Sequence, residues 1–226
     1  VAFKYLDRAR NDFQHGYYAL PFFDTEHTLE GLTMLASLAF VKPGDAEVVS
    51  VLEDLAEHLG NWVPGYAPWF DENTKHLKSL RPGTTQVDEG CNSGVDWPFN
   101  LGFAKLALAA YYATDNERYL EWVGKYLDGW INSMERNEQE NGYFVLPAEV
   151  DPRTGVLGPC SGVWYYAQFE PSWGWQEKGN NAIRDMHGPF LDYYSITKDE
   201  KYLNAIKRHL QTLFDNGSGN IPAHYY

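Results

Sequence analysis

The chain lacks any run of lysine or arginine. Its 18 basic residues are outnumbered by 31 acidic ones, which gives a formal net charge of -13. Proteins that bind nucleic acid neutralise phosphates with clustered basic side chains. The sequence also contains no zinc-finger spacing and no RNA-binding signature. This composition argues against a nucleic-acid partner.

Cysteine and long apolar runs are also scarce. The two cysteines, Cys91 and Cys160, are far apart and belong to no CxxC pair, so they match neither a zinc site nor a redox pair. Either they form a disulfide that closes a long loop in an oxidising compartment, or they are free thiols. No apolar stretch approaches the roughly 20 residues of a membrane helix, so no membrane partner is expected.

Aromatic residues, by contrast, are abundant. They occupy 16% of the positions, with 8 Trp and 16 Tyr, in a chain whose 44% hydrophobic content indicates a folded protein. Many of these rings lie in Gly- and Pro-rich stretches such as "GVWYYAQFEPSWGW", residues 162–175. A loop does not need so many rings for packing. We therefore expect some of them to line a ligand groove and to stack against sugar faces.

Two segments repeat the pattern of a helical hairpin. Residues 111–130 and 193–214 each begin with a tyrosine pair, continue through a short polar turn and end in an amphipathic helix. A weaker copy has "VKPG", residues 41–44, as its turn. Each strong copy contains a T-x-x-E pattern, which predicts a capping box at the start of its second helix. The predicted boxes are Thr114 with Glu117 and Thr197 with Glu200.

Long loops separate the hairpins, at residues 64–94 and 137–178. Helical bundles prefer connections of about 2–8 residues. We therefore predict one all-α domain over residues 1–226, arranged as an (α/α) toroid or partial toroid with aromatic-rich loops; a bundle or solenoid is the alternative. Three hairpins make less than a full toroid, so a further chain segment or a homo-oligomer is expected to complete the ring.

The stretch "GNNAIRDMHGPF" places polar residues at the start of a predicted inner helix. Asn180, Arg184 and His187 lie at i, i+4 and i+7 and so share one stripe, whereas Asn181 points further round. Pro189 either bends this helix or marks its first turn. A helix N-terminus favours an anion. These residues are candidates for the site, and helix capping is their alternative role.

A second predicted helix start lies at Pro98, which suits the first position of a helix. Polar and aromatic residues come just before it, as expected where several loops converge on a ligand. We predict that this start and the aromatic loop bind the substrate. The predicted substrate-binding residues are Asn92, Asp96, Trp97, Trp164, Tyr165, Trp173, Trp175 and Asn180.

The hairpin pattern, with "GPFLDYYSITKDEKYL" after an inner helix, resembles the toroid polysaccharide lyases and the six-hairpin glycosidases over residues 26–216. Toroid lyases use an Asn–His–Tyr–Arg group, and "GNN..R..HG" is similar to it. The resemblance implies that Asn181, Arg184 and His187 are catalytic. The sequence departs from the lyase pattern because five residues separate the asparagines from the histidine, which the family often places side by side.

This resemblance implies cleavage of a uronate-containing polysaccharide by β-elimination. Asn181 and Arg184 would neutralise the uronate carboxylate, so that the C5 proton becomes acidic. His187 would act as the base and Tyr166 as the acid for the leaving oxygen. The other candidates for the acid are Tyr17, Tyr18 and Tyr165.

Three alternatives remain open from the sequence. A glycoside hydrolase would need two carboxylates about 5 to 9.5 Å apart, for which Glu89, Asp96 and Asp185 are candidates. A non-catalytic glycan-binding protein would keep the rings without the polar stripe, and a toroid enzyme for small molecules is the third. None of these hypotheses requires a cofactor or a metal. The segment "WFDENTKH" has clustered oxygen ligands, but it lacks the spacing of a calcium-binding loop. A polysaccharide substrate predicts a secreted or periplasmic protein.

Overall fold

The computed structural model describes residues 35–83, 86–90, 93–147, 149–157 and 175–216, with side chains from residue 186 onward in the last range. This part of the chain is mostly helical, as predicted. The helices are α1 (residues 35–41), α2 (Ala46–Leu59), α3 (Gly102–Thr114), α4 (Glu117–Asn141), α5 (Trp175–Thr197) and α6 (Glu200–Asn216). The strands β1 (Phe70–Asp71) and β2 (His76–Leu77) form a short antiparallel hairpin, and a 3-10 turn (Pro98–Leu101) leads into α3.

The turn between α3 and α4 is closed by side chains on both helices. Thr114 ends α3, and its hydroxyl donates to the carbonyl four residues earlier at 2.7 Å. Asp115 follows in the left-handed conformation, at φ 55°. Asn116 is the N-cap of α4, because its side-chain oxygen accepts from the amide of Arg118 at 3.3 Å. The predicted capping box of Thr114 with Glu117 is therefore wrong: the threonine belongs to the preceding helix.

The turn between α5 and α6 repeats this geometry. The Thr197 hydroxyl donates to the carbonyl four residues earlier at 2.9 Å, and Lys198 has φ 59°. The Asp199 carboxylate accepts from the amide of Lys201 at 3.0 Å, as Asn116 does in the other turn. The predicted box of Thr197 with Glu200 is wrong for the same reason. The sequence repeat is nevertheless a structural one, since the two turns agree bond for bond.

A polar contact joins the second helices of the first two hairpins. Arg118 and Tyr119, in the first turn of α4, both reach the carboxylate of Glu57 near the end of α2. The arginine forms an ion pair with Glu57, and the tyrosine hydroxyl donates to it at 3.1 Å. The two helices are thereby held side by side.

The same contact recurs one hairpin later. Lys201 and Tyr202, in the first turn of α6, donate to the Asp128 carboxylate of α4 at 2.7 and 2.8 Å. Asp128 lies twelve residues after the N-cap of α4, as Glu57 does after the N-cap of α2. The hairpins therefore follow one another with a regular spatial relation in the described part of the chain.

Much of the aromatic content serves the core. Four tryptophans are buried among the helices and the β-hairpin: Trp69, Trp97, Trp122 and Trp130. Trp122 stacks on Tyr126 with ring centroids 5.2 Å apart, and Phe70 meets Trp122 edge to face. Part of the high aromatic content therefore packs the core, and these rings are not available to line a ligand groove.

The helix α5 is continuous through Pro189. The alternative in which this helix begins at the proline is therefore wrong. Asn180, Asn181 and Arg184 belong to the helix itself, in its first half. No helix within the described ranges has both the length and the apolar character needed to cross a membrane.

The long connections lie at the end of the hairpins opposite the tight turns, because each hairpin pairs two antiparallel helices. We call the described parts of these connections, residues 60–97 and 142–157, the loop face. Asp96 and Val150 join them through two backbone hydrogen bonds, of 2.9 and 2.8 Å. Asp96 precedes the 3-10 turn that leads into α3, and Val150 follows the end of α4. Their pairing therefore joins the loop before α3 to the loop after α4.

The packing of α5 on α4 gives a testable prediction. A Cβ atom at Gly124 would lie 2.4 Å from the hydroxyl oxygen of Tyr193. Alanine normally stabilises a helix by about 1 kcal/mol relative to glycine. We expect Gly124→Ala instead to destabilise the protein by about 1–3 kcal/mol, because of overpacking. In urea unfolding, a Gly124→Ala/Tyr193→Phe chain should recover part of that loss. A Gly124→Ala chain more stable than the parent would contradict this contact.

Candidate functional site

A buried carboxylate lies at the base of the loop face. Asp96 is 0% exposed, and both of its oxygens are hydrogen bonded. One oxygen accepts from the amide of Leu77 at 3.2 Å and pairs with Nδ1 of His76 at 2.8 Å. The other accepts from the side-chain amide of Asn100 at 2.8 Å and from the hydroxyl of Tyr126 at 3.1 Å. We call these five residues the Asp96 network.

The network joins segments that are distant in the sequence. Its members come from β2, from the loop before the 3-10 turn, from that turn and from α4. Trp97 contributes indirectly, because its indole N–H donates to the side-chain oxygen of Asn100 at 2.9 Å and so orients the amide. The amide also donates to the carbonyl of Ser79 at 3.1 Å. The first long loop is thus held to the helices by polar contacts that exclude water.

Burial and charge fix the protonation of one network member. The pKa of Tyr126 is raised well above its usual value, first by burial and then by the negative charge of Asp96. The phenol therefore keeps its proton and donates a hydrogen bond to the carboxylate of Asp96.

The network extends to a serine in an order that resembles a hydrolytic triad. His76 holds Asp96 through Nδ1, and its Nε2 lies 2.9 Å from the hydroxyl oxygen of Ser133. In the tautomer with the proton on Nδ1, the Nε2 atom accepts from the serine hydroxyl. Ser133 is only 6% exposed and lies inside α4, where the backbone N–H groups already bond to helix carbonyls. The helix thus offers no oxyanion donors at this serine, and we assign it a structural role.

Two predicted substrate-binding residues, Asp96 and Trp97, therefore lie in the interior. The Trp97 ring packs against Phe99, with centroids 4.8 Å apart, and against the buried side chains of Leu80 and Val95. Their contact with a substrate stays a prediction, and their observed contacts are with the protein itself.

The predicted base, His187, lies between α5 and α6. Its ring is 7% exposed and meets the ring of His209 edge to face at 5.0 Å. Burial lowers the pKa of His187 to about 4. Burial and the neighbouring His187 lower that of His209 to about 3. The catalytic role of His187 stays a prediction, but a base works best with a pKa near the operating pH.

The remaining predicted site residues have side chains outside the described part of the chain. α5 packs on the 3-10 turn that follows Asp96, so the helix carrying the polar stripe adjoins the network. The side chains of Trp175, Asn180, Asn181 and Arg184 lie outside the described residues, as does that of Asp185. Also outside are Asn92, Trp164, Tyr165, Tyr166 and Trp173, together with Cys91 and Cys160.

Several polar residues of the interior were not singled out from the sequence. In α4, Ser133 and Asn137 continue the buried stripe of Tyr126 and Trp130 at helical spacing, and a polar residue on an apolar stripe is a detectable signal. Glu149 is 1% exposed and stands alone among apolar residues in "VLPAEV". An acid inside an apolar run is a signal of the same kind.

The "WFDENTKH" segment forms the β-hairpin turn. The Asp71 carboxylate accepts from the amides of Asn73 and Thr74 at 2.9 and 3.0 Å, so it closes the turn itself. Across the described ranges, no group of three or more His, Cys, Asp or Glu residues could hold a metal ion.

Comparison with known proteins identifies the family. A family model described as "Domain of unknown function (DUF8034)" matches residues 45–224, so the chain belongs to that family. The match spans the helices from α2 to α6. Neither the curated proteins nor the solved structures contain a match.

The structural role of Ser133 can be tested chemically. Ser133→Ala should lower the free energy of unfolding by about 1–3 kcal/mol, because it leaves a buried nitrogen of His76 without its donor. A fluorophosphonate probe should form no adduct at Ser133 in the folded parent chain. An adduct that disappears in a folded His76→Gln chain would contradict the structural assignment.

The paired histidines predict a dependence of stability on pH. Both have a folded pKa below the ordinary 6.5, so the unfolded chain binds their protons first as the pH falls. Stability should be complete above pH 6.5 and decrease towards pH 4, by up to about 1.4 kcal/mol per pH unit for each histidine. Urea unfolding at pH 7, 6 and 5 should show a smaller decrease for His187→Leu/His209→Leu. An equal decrease in both chains would rule this out.

Proposed function

We propose that this member of the DUF8034 family is a carbohydrate-active enzyme that cleaves a polysaccharide at the loop face. One observation carries the proposal. The long loops of successive hairpins are joined by the pairing of Asp96 with Val150, above a buried polar network and beside the start of α3. Such an end, with long loops on a helical base, is where a binding site is expected.

We also propose that the hairpins continue into an (α/α) toroid or partial toroid. The support is the regular relation between successive hairpins, in which a basic residue and a tyrosine of one second helix bind an acid of the previous one. A constant relation of this kind curves an array of hairpins into an arc. The first helices would then lie on the inner side, with their starts at the loop face.

We place hydrolysis by two carboxyl groups of the loop face before β-elimination with His187 as the base, because burial lowers the pKa of His187 to about 4. Glu149 is a buried carboxyl group on the loop face, directly before the residue that pairs with Asp96. Glu89 is exposed on the other loop, and Gly94 packs closely on its backbone. Glycosidases use a shielded acid and a more exposed carboxylate, about 5 to 9.5 Å apart. We propose Glu149 as the acid and Glu89 as its partner.

β-Elimination of a uronate-containing polysaccharide is the second candidate. It is favoured by the position of Asn181 and Arg184 in the first half of α5, a helix that packs on the 3-10 turn after Asp96. Donors there would neutralise a uronate carboxylate. His187, however, would have to leave its contact with His209 before it could act as the base.

Product analysis distinguishes these reactions. The chain is incubated with alginate, pectate, glucuronan, glycosaminoglycans and neutral polysaccharides, and two signals are followed. A hydrolase releases reducing ends without ultraviolet absorbance, whereas a lyase adds the absorbance of a 4,5-unsaturated product. We expect reducing ends alone. Binding without either signal would identify a glycan-binding protein, and no binding at all would overturn the proposal.

Substitutions assign the acid. Glu149→Gln should reduce turnover by about 100-fold or more, because it removes proton transfer to the leaving group. Glu89→Gln should do the same. Glu135→Gln, on the exposed side of α4, is the matched control and should keep full activity. Urea unfolding of each chain separates loss of catalysis from loss of fold. Full activity of Glu149→Gln would refute the assignment.

A further inference from the structure

One face of α6 carries apolar side chains that are open to solvent towards the end of the helix. Leu203, Leu210 and Phe214 recur at helical spacing, so they form a stripe along the helix, and Leu203 is its half-buried member. Leu210 is 46% exposed and Phe214 is 83% exposed. Single apolar residues on a surface are ordinary, but a stripe on one helix face is typical of a surface that packs against another element.

The equivalent positions of the preceding hairpin are covered. When the second helices are aligned on their N-caps, Leu210 corresponds to Leu127 of α4 and Phe214 corresponds to Ile131. Leu127 is 0% exposed and Ile131 is 7% exposed. In α2 the position of Leu127 is held by Ala56, which is also fully buried. The repeat therefore buries the position of Leu210 in two hairpins and exposes it in the third.

In both cases the next hairpin packs on the same second helix. α3 packs on α2, and α5 packs on α4, where Tyr193 meets Gly124. Each covering helix is the first helix of the hairpin that follows in the chain. This order agrees with the general rule that consecutive elements are neighbours in space.

We propose that the stripe on α6 is the docking surface for the first helix of a further hairpin of this repeat, which follows α6 in the same polypeptide. The surface continues an interface that is already present twice in the fold. The proposal depends on that interface and on the exposure of the stripe, and it does not depend on the proposed activity.

Two replacements on α6 define the chemistry of the docking helix. Lys207 stands where α4 has Gly124, and Gln211 stands where α4 has Asp128. Lys207 is exposed, so the arriving helix should carry a carboxylate that faces it, between apolar residues that cover the stripe. The second helix of that further hairpin would need no basic residue equivalent to Lys201, which binds Asp128, because Gln211 is neutral. The expected partner is therefore an acidic amphipathic helix.

The experiment compares the 226-residue chain with the product of its complete open reading frame. Hydrogen exchange is followed in α6 between Leu203 and Phe214. A docked hairpin should slow exchange there by about tenfold or more, because local opening would then also break the new interface. Equal exchange in the two chains, or a reading frame with no further hairpin after α6, would overturn the proposal.

A matched pair of substitutions tests the face itself. Leu210 and Leu191 are exposed to a similar extent, 46% and 42%, on α6 and α5 respectively. In the 226-residue chain, Leu210→Asp and Leu191→Asp should have equally small effects on unfolding. In the longer product, Leu210→Asp should shift the unfolding equilibrium by about tenfold more than Leu191→Asp. Equal shifts would contradict docking.

Sedimentation of the 226-residue chain completes the test. It should remain monomeric, because the repeat provides the covering helix from the same polypeptide. A dimer that Leu210→Asp dissociates would assign the stripe to a second copy of the chain and would overturn the proposal.

Discussion

The buried charge of Asp96 is the constraint on which the loop face depends. A carboxylate removed from water is costly unless donors replace the lost hydration. Here the donors are His76, Leu77, Asn100 and Tyr126, and they come from three elements that meet only when the first loop is folded onto α4. The charge therefore makes the loop conformation specific: a loop in another position would leave the carboxylate or its donors unsatisfied.

The helical hairpins form the base on which the loop face lies. Similar turns, each with a threonine closing one helix and an Asn or Asp capping the next, set the antiparallel hairpins. The repeated contact of a tyrosine with an acid of the previous hairpin sets their spacing. Short turns at one end leave the other end to the long loops. A helical repeat thus carries a surface of long loops, and the proposed chemistry lies on that surface.

The sequence predicted the helices better than it predicted their ends. Periodic apolar residues located α4 and α6, and Pro98 marked the start of the 3-10 turn that opens α3. The capping boxes were wrong because a threonine can also bond back into its own helix, and the next Asn or Asp is then free to cap. Both patterns contain the same residue types, and only the backbone path decides between them.

The candidate site was predicted only in part, because its contacts are long-range. Asp96 was recognised as a polar residue before a helix, but its partner His76 lies 20 residues away. Ser133 lies 57 residues beyond the histidine that it meets. Such pairings depend on how the loop folds back, which periodicity does not encode. Trp97 and His187 are expected to face a ligand, and this stays a prediction; their burial in the interior could not be read from the residue type alone.

Hydrogen exchange in an Asp96→Asn chain tests the central claim most directly. The substitution keeps the shape of the side chain and removes its charge and half of its acceptor capacity. If this carboxylate holds the loop face together, the amides of Leu77 and Val150 should exchange about tenfold faster or more, while those of α3 and α6 keep their protection. Unchanged exchange at Leu77 and Val150, or an equal increase throughout the helices, would contradict the account.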